Sequence, residues 1–228
     1  MKIYGATDIG LVRPTNQDCY YIDKEQNWAV LADGMGGHSG GETASTMSVE
    51  IIKENMDKSN DPVTAIEEAN RIVFQKSVDE PLLSGMGTTI VLCKIDGNKA
   101  QIAHVGDSRA YVVREQCMEQ ITTDHSIVQQ LIDSGTITKE QSKYHPQRNL
   151  ITRAVGTEKG VAVDVNTVSF NENESILLCS DGLCSYVEEN EIFEIIKNNT
   201  AEKAVEMLVE AANNAGGKDN VTAVLMNG

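Results

Sequence analysis

Short apolar blocks in this chain stop at aspartate or glycine, whereas longer stretches repeat their apolar residues every three or four positions. The first pattern predicts strands at 2–9, 19–23 and 28–33, the last running Trp28-Ala29-Val30-Leu31-Ala32 into Asp33-Gly34. The second predicts a helix over 41–56, with Ala44, Met47, Ile51 and Ile52 on one face. Another helix opens at Asp61-Pro62, a cap followed by proline where no amide hydrogen is needed, and repeats Ile66, Ala69, Ile72 and Val73. Strands at 88–95 and 99–105 flank Asp96-Gly97-Asn98, a hairpin turn, and the chain runs on through Gly106-Asp107-Ser108 to a strand at 109–114.

A helix at 126–134 is stopped by Gly135, and Thr138-x-x-Gln141 is the signature of a capping box on a short helix. Residues 144–152, YHPQRNLIT, are polar and irregular, as expected of a segment beside a site. Strands at 163–170, 175–180 and 221–226 bracket helices at 188–198 and 201–215. Strands cluster with strands and helices with helices. That order predicts α+β layering, sheets covered by helices, in a single domain over 1–228 with no repeat or linker.

Composition narrows the function. With 40% hydrophobic residues in 228 the chain can bury a core, and no apolar run reaches the roughly 20 residues that span a bilayer. The N-terminus has no apolar segment of a signal peptide, and the five cysteines form no C-x-x-C pair; a reducing, cytoplasmic setting is expected. The net charge of −15, from 19 basic and 34 acidic residues, repels nucleic acid and anionic membranes but not cations.

Some of those acids recur at strand tips. LADG (31–34) and CSDG (179–182) are apolar strands ending in Asp33-Gly34 and Asp181-Gly182; Ile102–Val105 runs into Gly106-Asp107; Asp219-Asn220 and Gln17-Asp18 stand just before strands. Any one of these alone is turn chemistry. Gathered at one end of a sheet stack, such charges need cations, and without paired histidines hard Mg²⁺ or Mn²⁺ is favoured over Zn²⁺. Gly34, lacking a Cβ, lets its carbonyl approach the same ion. Neither a P-loop nor a dinucleotide fingerprint explains the glycines: no Lys follows Gly40 or Gly41, and Gly34-x-Gly36 leads to Ser39.

Read together, Arg13-Pro14-Thr15-Asn16-Gln17-Asp18, Asp33-Gly34-Met35-Gly36-Gly37-His38, Met86-Gly87-Thr88-Thr89, Val105-Gly106-Asp107-Ser108-Arg109, Asp124-His125-Ser126, Thr152-Arg153-Ala154-Val155-Gly156, Leu178-Cys179-Ser180-Asp181-Gly182 and Lys218-Asp219-Asn220 resemble the metal-dependent serine/threonine protein phosphatases of type 2C, particularly small bacterial members. The resemblance implies a four-layer α-β-β-α sandwich of two mostly antiparallel sheets, with two Mn²⁺ or Mg²⁺ ions at one edge. Asp33 would bridge the ions, Gly34 would offer its carbonyl, Asp181 and Asp219 would complete one ion, and Asp18 would act through metal-bound water. Arg13 would hold the substrate phosphate, His38 would be the general acid, and Asp107 with Asp181 would take a third, weaker ion. A flap at about 135–151 would border the cleft. Two departures stand out: Gln17 replaces a glutamate of animal relatives, and Met35 replaces their histidine after Asp-Gly.

The function implied is hydrolysis of phosphoserine and phosphothreonine on proteins by a hydroxide bound to the binuclear centre, reversing a bacterial Ser/Thr kinase as a monomer. The rivals are a catalytically silent phosphoprotein-binding or sensor domain of the same fold and a hydrolase of small phosphate esters. The sequence reading takes Asp124-His125 as a helix cap and His104 as a core or supporting residue.

Overall fold

The computed structural model describes residues 1–36 and 40–228. Hairpin chemistry sets its sheets. Strand β2 (Asp18–Asp23) returns as β3 (Trp28–Met35), and β5 (Ile90–Asp96) returns as β6 (Lys99–Val105) across a two-residue Gly97-Asn98 loop in which Gly97 takes φ 56. With β9 (Asp164–Ser169) these form one antiparallel sheet, in the order β2-β3-β5-β6-β9. The other sheet is built from β1 (Lys2–Asp8), β7 (Arg109–Val113), β8 (Met118–Gln120), β10 (Ser175–Cys179) and β11 (Val221–Asn227), in the order β1-β11-β10-β7-β8.

The alternation along each strand builds the layers. Ile176, Leu178, Val224 and Met226 point inward against Ala29, Leu31, Val91 and Cys93 of the opposite sheet. Their strand neighbours Leu177, Cys179, Ala223 and Leu225 point outward, onto Ile192 and Ile196 of α6 (Glu189–Asn198) and Val205 and Leu208 of α7 (Ala201–Asn214). On the far side Trp28, Val30, Ala32 and Leu92 meet Ile52 and Met56 of α1 (Gly40–Ser59) and Ile66 and Ala69 of α2 (Pro62–Asp79). Because β3 is covered on both faces, it reads as a continuous apolar run rather than an alternating one. Each fully buried leucine, such as Leu178, contributes about 1.5–3 kcal/mol of transfer free energy. The expected α-β-β-α sandwich is therefore present, and each pairing between its strands is antiparallel.

Helix caps follow the sequence signals. Asp61 accepts from the amides of Val63 and Thr64, and Thr138 and Gln141 make both bonds of a capping box on α4 (Lys139–Ser142). Three details differ from the sequence reading. The strand expected at 88–95 is split: β4 (Gly87–Thr88) pairs with the end of β3, and the chain breaks at Thr89 before β5. The short strand β8 and the one-turn helix α5 (Asp181–Cys184) carry too few residues for any periodicity to show. Ser126, not Asp124, caps α3 (Ile127–Asp133) by accepting from Gln129 N. Residues between the Ser126–Ile151 bridge form an excursion from the sandwich that holds α3 and α4. Among the described residues no helix is long and apolar enough to cross a membrane.

Candidate metal centre

The aspartates singled out in the sequence meet at one end of the sandwich. Register places Asp18, first in β2, directly opposite Asp33 in β3. Asp33 is clamped through its backbone: its N–H donates to Thr89 Oγ1 at 3.0 Å, and its carbonyl accepts from Thr89 N and Thr88 Oγ1. The break at Thr89 thus serves the acid beside it. Asp181 opens α5 two residues after the end of β10, and Asp219 lies two residues before β11. Asp107 follows Gly106, which takes φ 105, a value a side chain would strain.

Glycine is required where the chain folds over this cluster. A Cβ on Gly34 would strike the carbonyl of Gly41 and lie 2.6 Å from that of Gln17, whose oxygen accepts the Gly34 N–H at 3.1 Å. The loop and the start of α1 can approach β3 only with both glycines bare.

Burial and mutual repulsion dominate the electrostatics. Desolvation, then Asp181 and Asp219, push the Asp18 carboxyl up to about 7 against the pull of Thr222 and Ser180. Asp107 is pushed up to about 8 by burial, Asp181 and Asp124. Asp181 is raised to about 6 by burial and Asp219, and it shares a hydrogen bond with Asp33. Asp33, buried and facing Asp18, Asp181, Asp107 and Asp219, is held well above the usual carboxylate range. The donor set is entirely oxygen, and Asp18 Oδ1 is buried with no hydrogen-bond partner among the described residues. Hard divalent cations fit both facts: they neutralise crowded carboxylates and take an unpartnered oxygen.

Arg13 stands at the rim, half exposed, and donates from Nη2 to Asp219 Oδ2 at 2.8 Å. Its loop, residues 9–17, is pinned by Asn220, whose Nδ2 donates to the carbonyls of Ile9 and Thr15 while Oδ1 accepts from Gln17 N. Asn220 was visible in the sequence only as the neighbour of Asp219; its role depends on a loop 205 residues away in the chain. His38 lies outside the described residues.

The cluster borders a cavity of about 550 Å³ that Asp107 and Asp181 share with Arg109 and Asp124 on one wall and Lys143 and Arg148 on the other. Asp124 takes a bidentate contact from Arg109 at 2.7 and 2.9 Å, so its place is this ion pair rather than the expected helix cap. Lys139–Glu189 and Lys143–Glu188 ion pairs tie the 127–150 excursion to the body of the protein.

His104, His125 and Asp164 also bring ligand atoms within 4.8 Å of one another, yet they do not make a metal site. His125 Nδ1 accepts the Gly106 N–H at 2.9 Å, so its proton sits on Nε2, facing Asp164 at 3.3 Å. The Arg153 guanidinium occupies the remaining space, 3.0 Å from that nitrogen and bonded to Asp164. The two imidazoles stack at 4.8 Å, and burial holds both below their usual range. With the His125 backbone N–H donating to the Gly106 carbonyl at 3.0 Å, His125 fastens the Asp107 loop, and His104 stacks behind it with Nε2 on the Thr123 carbonyl.

A family model described as protein phosphatase 2C matches residues 13–226. The serine/threonine phosphatase stp of Listeria monocytogenes serotype 4b is 37% identical over 96% of this chain and 93% of its own. The crystal structure of the Mycobacterium tuberculosis serine/threonine phosphatase PstP/Ppp superposes with a TM-score of 0.92 at 35% identity, covering 98% of this chain and 97% of that one. A PstP catalytic domain in complex with two manganese ions superposes with a TM-score of 0.88 at 34% identity, covering 98% and 96%.

Proposed function

The chain belongs to the protein phosphatase 2C family, and from that premise we propose that it removes phosphate from phosphoserine and phosphothreonine side chains of proteins, using two divalent cations of the Mn²⁺ or Mg²⁺ kind. Asp33, the Gly34 carbonyl, Asp181 and Asp219 are the residues to hold them, with Asp18 acting through a bound water and Asp107 and Asp181 able to take a third, weaker ion. The observation that carries this reading is the convergence of desolvated carboxylates that repel one another, with Asp18 Oδ1 unpartnered among the described residues. Such a cluster is costly in an empty cleft and stabilised by cations.

When bound, the cations offset the negative charge of the phosphate and bring a water's pKa toward neutrality. The protein's own residues do the rest. Arg13 pairs with Asp219 through one Nη, leaving its other N–H groups to grip a phosphate oxygen at the open side of the acids. The Asn220 contacts to Ile9, Thr15 and Gln17 keep that guanidinium over the cleft. A serine alkoxide leaves poorly, and His38, in the glycine-rich segment after Asp33, is the residue to protonate it. The substrates are phosphoproteins made by a Ser/Thr kinase, and the cavity of about 550 Å³ beside Asp107 and Asp181 offers volume for residues flanking the phosphorylated side chain.

The test is direct. Purified protein should hydrolyse a phosphothreonine peptide with Mn²⁺ or Mg²⁺ and lose that activity in EDTA, and Asp33→Asn should lower turnover by orders of magnitude in a folded protein. Activity that survives EDTA would refute the metal-dependent reading.

A further inference from the structure

Asp18 is the start and the end of a closed chain of hydrogen bonds whose directions can be assigned atom by atom. Its N–H donates to Asn16 Oδ1 at 3.1 Å, and Asn16 Nδ2 donates to Thr7 Oγ1 at 2.9 Å. Thr7 and Thr222 hydroxyls lie 2.8 Å apart, and Thr222 Oγ1 is 2.7 Å from Asp18 Oδ2. A hydroxyl has one hydrogen. Thr222 gives its hydrogen to the carboxylate, the stronger acceptor, so Thr7 must supply the hydrogen between the two threonines. Ser180 completes the arrangement: its Oγ donates to the same Asp18 Oδ2 at 2.8 Å and accepts from Thr222 N at 2.9 Å.

Every neighbour of Oδ2 is therefore a donor, which favours the anion and occupies that oxygen twice. Oδ1 is left buried and, among the described residues, unpartnered. The carboxylate is split into an anchored oxygen and a presented one. The geometry points to Ser180 and Thr222, backed by Thr7 and Asn16, as positioning residues that hold Asp18 and aim Oδ1 at a cation or its water shell. This rests on the reading of the acid cluster as a divalent-cation centre. Both hydroxyls sit beside proposed ligands in the chain, Ser180 before Asp181 and Thr222 three residues after Asp219, so the strand tips that supply ligands also supply their supports.

The experiment is calorimetric titration of Mn²⁺ into the chelator-stripped full chain, with apo thermal unfolding measured in parallel. Losing one hydrogen bond to a charged group should weaken Mn²⁺ binding about tenfold or more in Ser180→Ala and in Thr222→Val. Thr222→Ser keeps the hydroxyl and should stay within about twofold of the parent. The double variant should lose less than the product of the two, because both hydroxyls act on one oxygen. Should either variant fail to fold, Thr7→Val removes the donor behind Thr222 and the acceptor of Asn16 Nδ2 while leaving both hydroxyls on Asp18 Oδ2, and should weaken binding by about two- to threefold. Wild-type binding that is unchanged in folded Ser180→Ala, Thr222→Val and Thr7→Val, yet lost in Asp18→Asn, would overturn the positioning role. A wild-type chain that binds no Mn²⁺ would overturn the metal centre itself, a separate failure.

Discussion

Stripping divalent cations should cost this protein far more stability at pH 8 than at pH 5, and Asp18 shows how much. Unfolded, an aspartate titrates near 3.9; in the fold, burial followed by Asp181 and Asp219 pushes Asp18 up to about 7. Between those values the native state binds more protons than the unfolded one, so stability falls as pH rises. That is the reverse of an aspartate held down by a cationic partner. At roughly 1.4 kcal/mol per pH unit, ionising Asp18 in the cation-free fold costs on the order of 4 kcal/mol at pH 8 and less than half of that at pH 5. Asp181, Asp107 and Asp33 act in the same direction without adding simply, since each raises the others.

The assay compares thermal unfolding of the parent and Asp18→Asn in EDTA at both pH values. Asparagine keeps an oxygen for Ser180 and Thr222 but cannot ionise. At about 2–4 °C per kcal/mol for a chain of this size, Asp18→Asn should melt on the order of 10 °C above the parent at pH 8, with a smaller gain at pH 5. Excess Mn²⁺ should raise the parent's midpoint and shrink that gap. Glu67→Gln, which removes an exposed charge on α2, controls for the general repulsion of a −15 chain and should show neither effect. An EDTA-treated parent that grows more stable from pH 5 to pH 8, or an Asp18→Asn variant with no gain at pH 8, would refute the reasoning.

The remaining predictions concern substrate. Arg13→Ala should raise KM for a phosphopeptide while Mn²⁺ affinity holds or improves, because Asp219 loses a competing cation; Arg13→Lys should not restore KM, and a restored KM would argue against a bidentate grip. His38→Ala should slow a phosphoserine peptide more than p-nitrophenyl phosphate, whose leaving group needs no proton, as steady-state kinetics on both substrates would reveal. Equal losses would remove the general-acid role.

Much of the fold was legible because its signals are local. The apolar runs at 175–179 and 221–226, the Asp61-Pro62 cap, the Gly97-Asn98 turn and the Thr138–Gln141 capping box each act within a few residues. What escaped was either too short or non-local. The strand β8, with three residues, and helix α5, with four, hold too little of a hydrophobic repeat to be recognised, and β4 is detached from β5 where Thr89 bonds to Asp33. Asp124 looked like a cap from its place before a helix, but the Arg109 guanidinium fifteen residues earlier in the chain claims it. The acids of the site were legible as a class, since carboxylates at the tips of apolar strands are conspicuous when several recur.

Their supports were not. Ser180, Thr222, Thr7 and Asn16 are ordinary polar residues, and nothing in their spacing says that they meet on one carboxylate oxygen. By itself the sequence determined the longer elements, the layering and the identity of the charged groups, because periodicity, turns and charge are written residue by residue. Only the tertiary structure decided which carboxylate faces which and which oxygen is anchored or left bare. Those are relations between strands up to 215 residues apart, set when two sheets pack and their ends coincide.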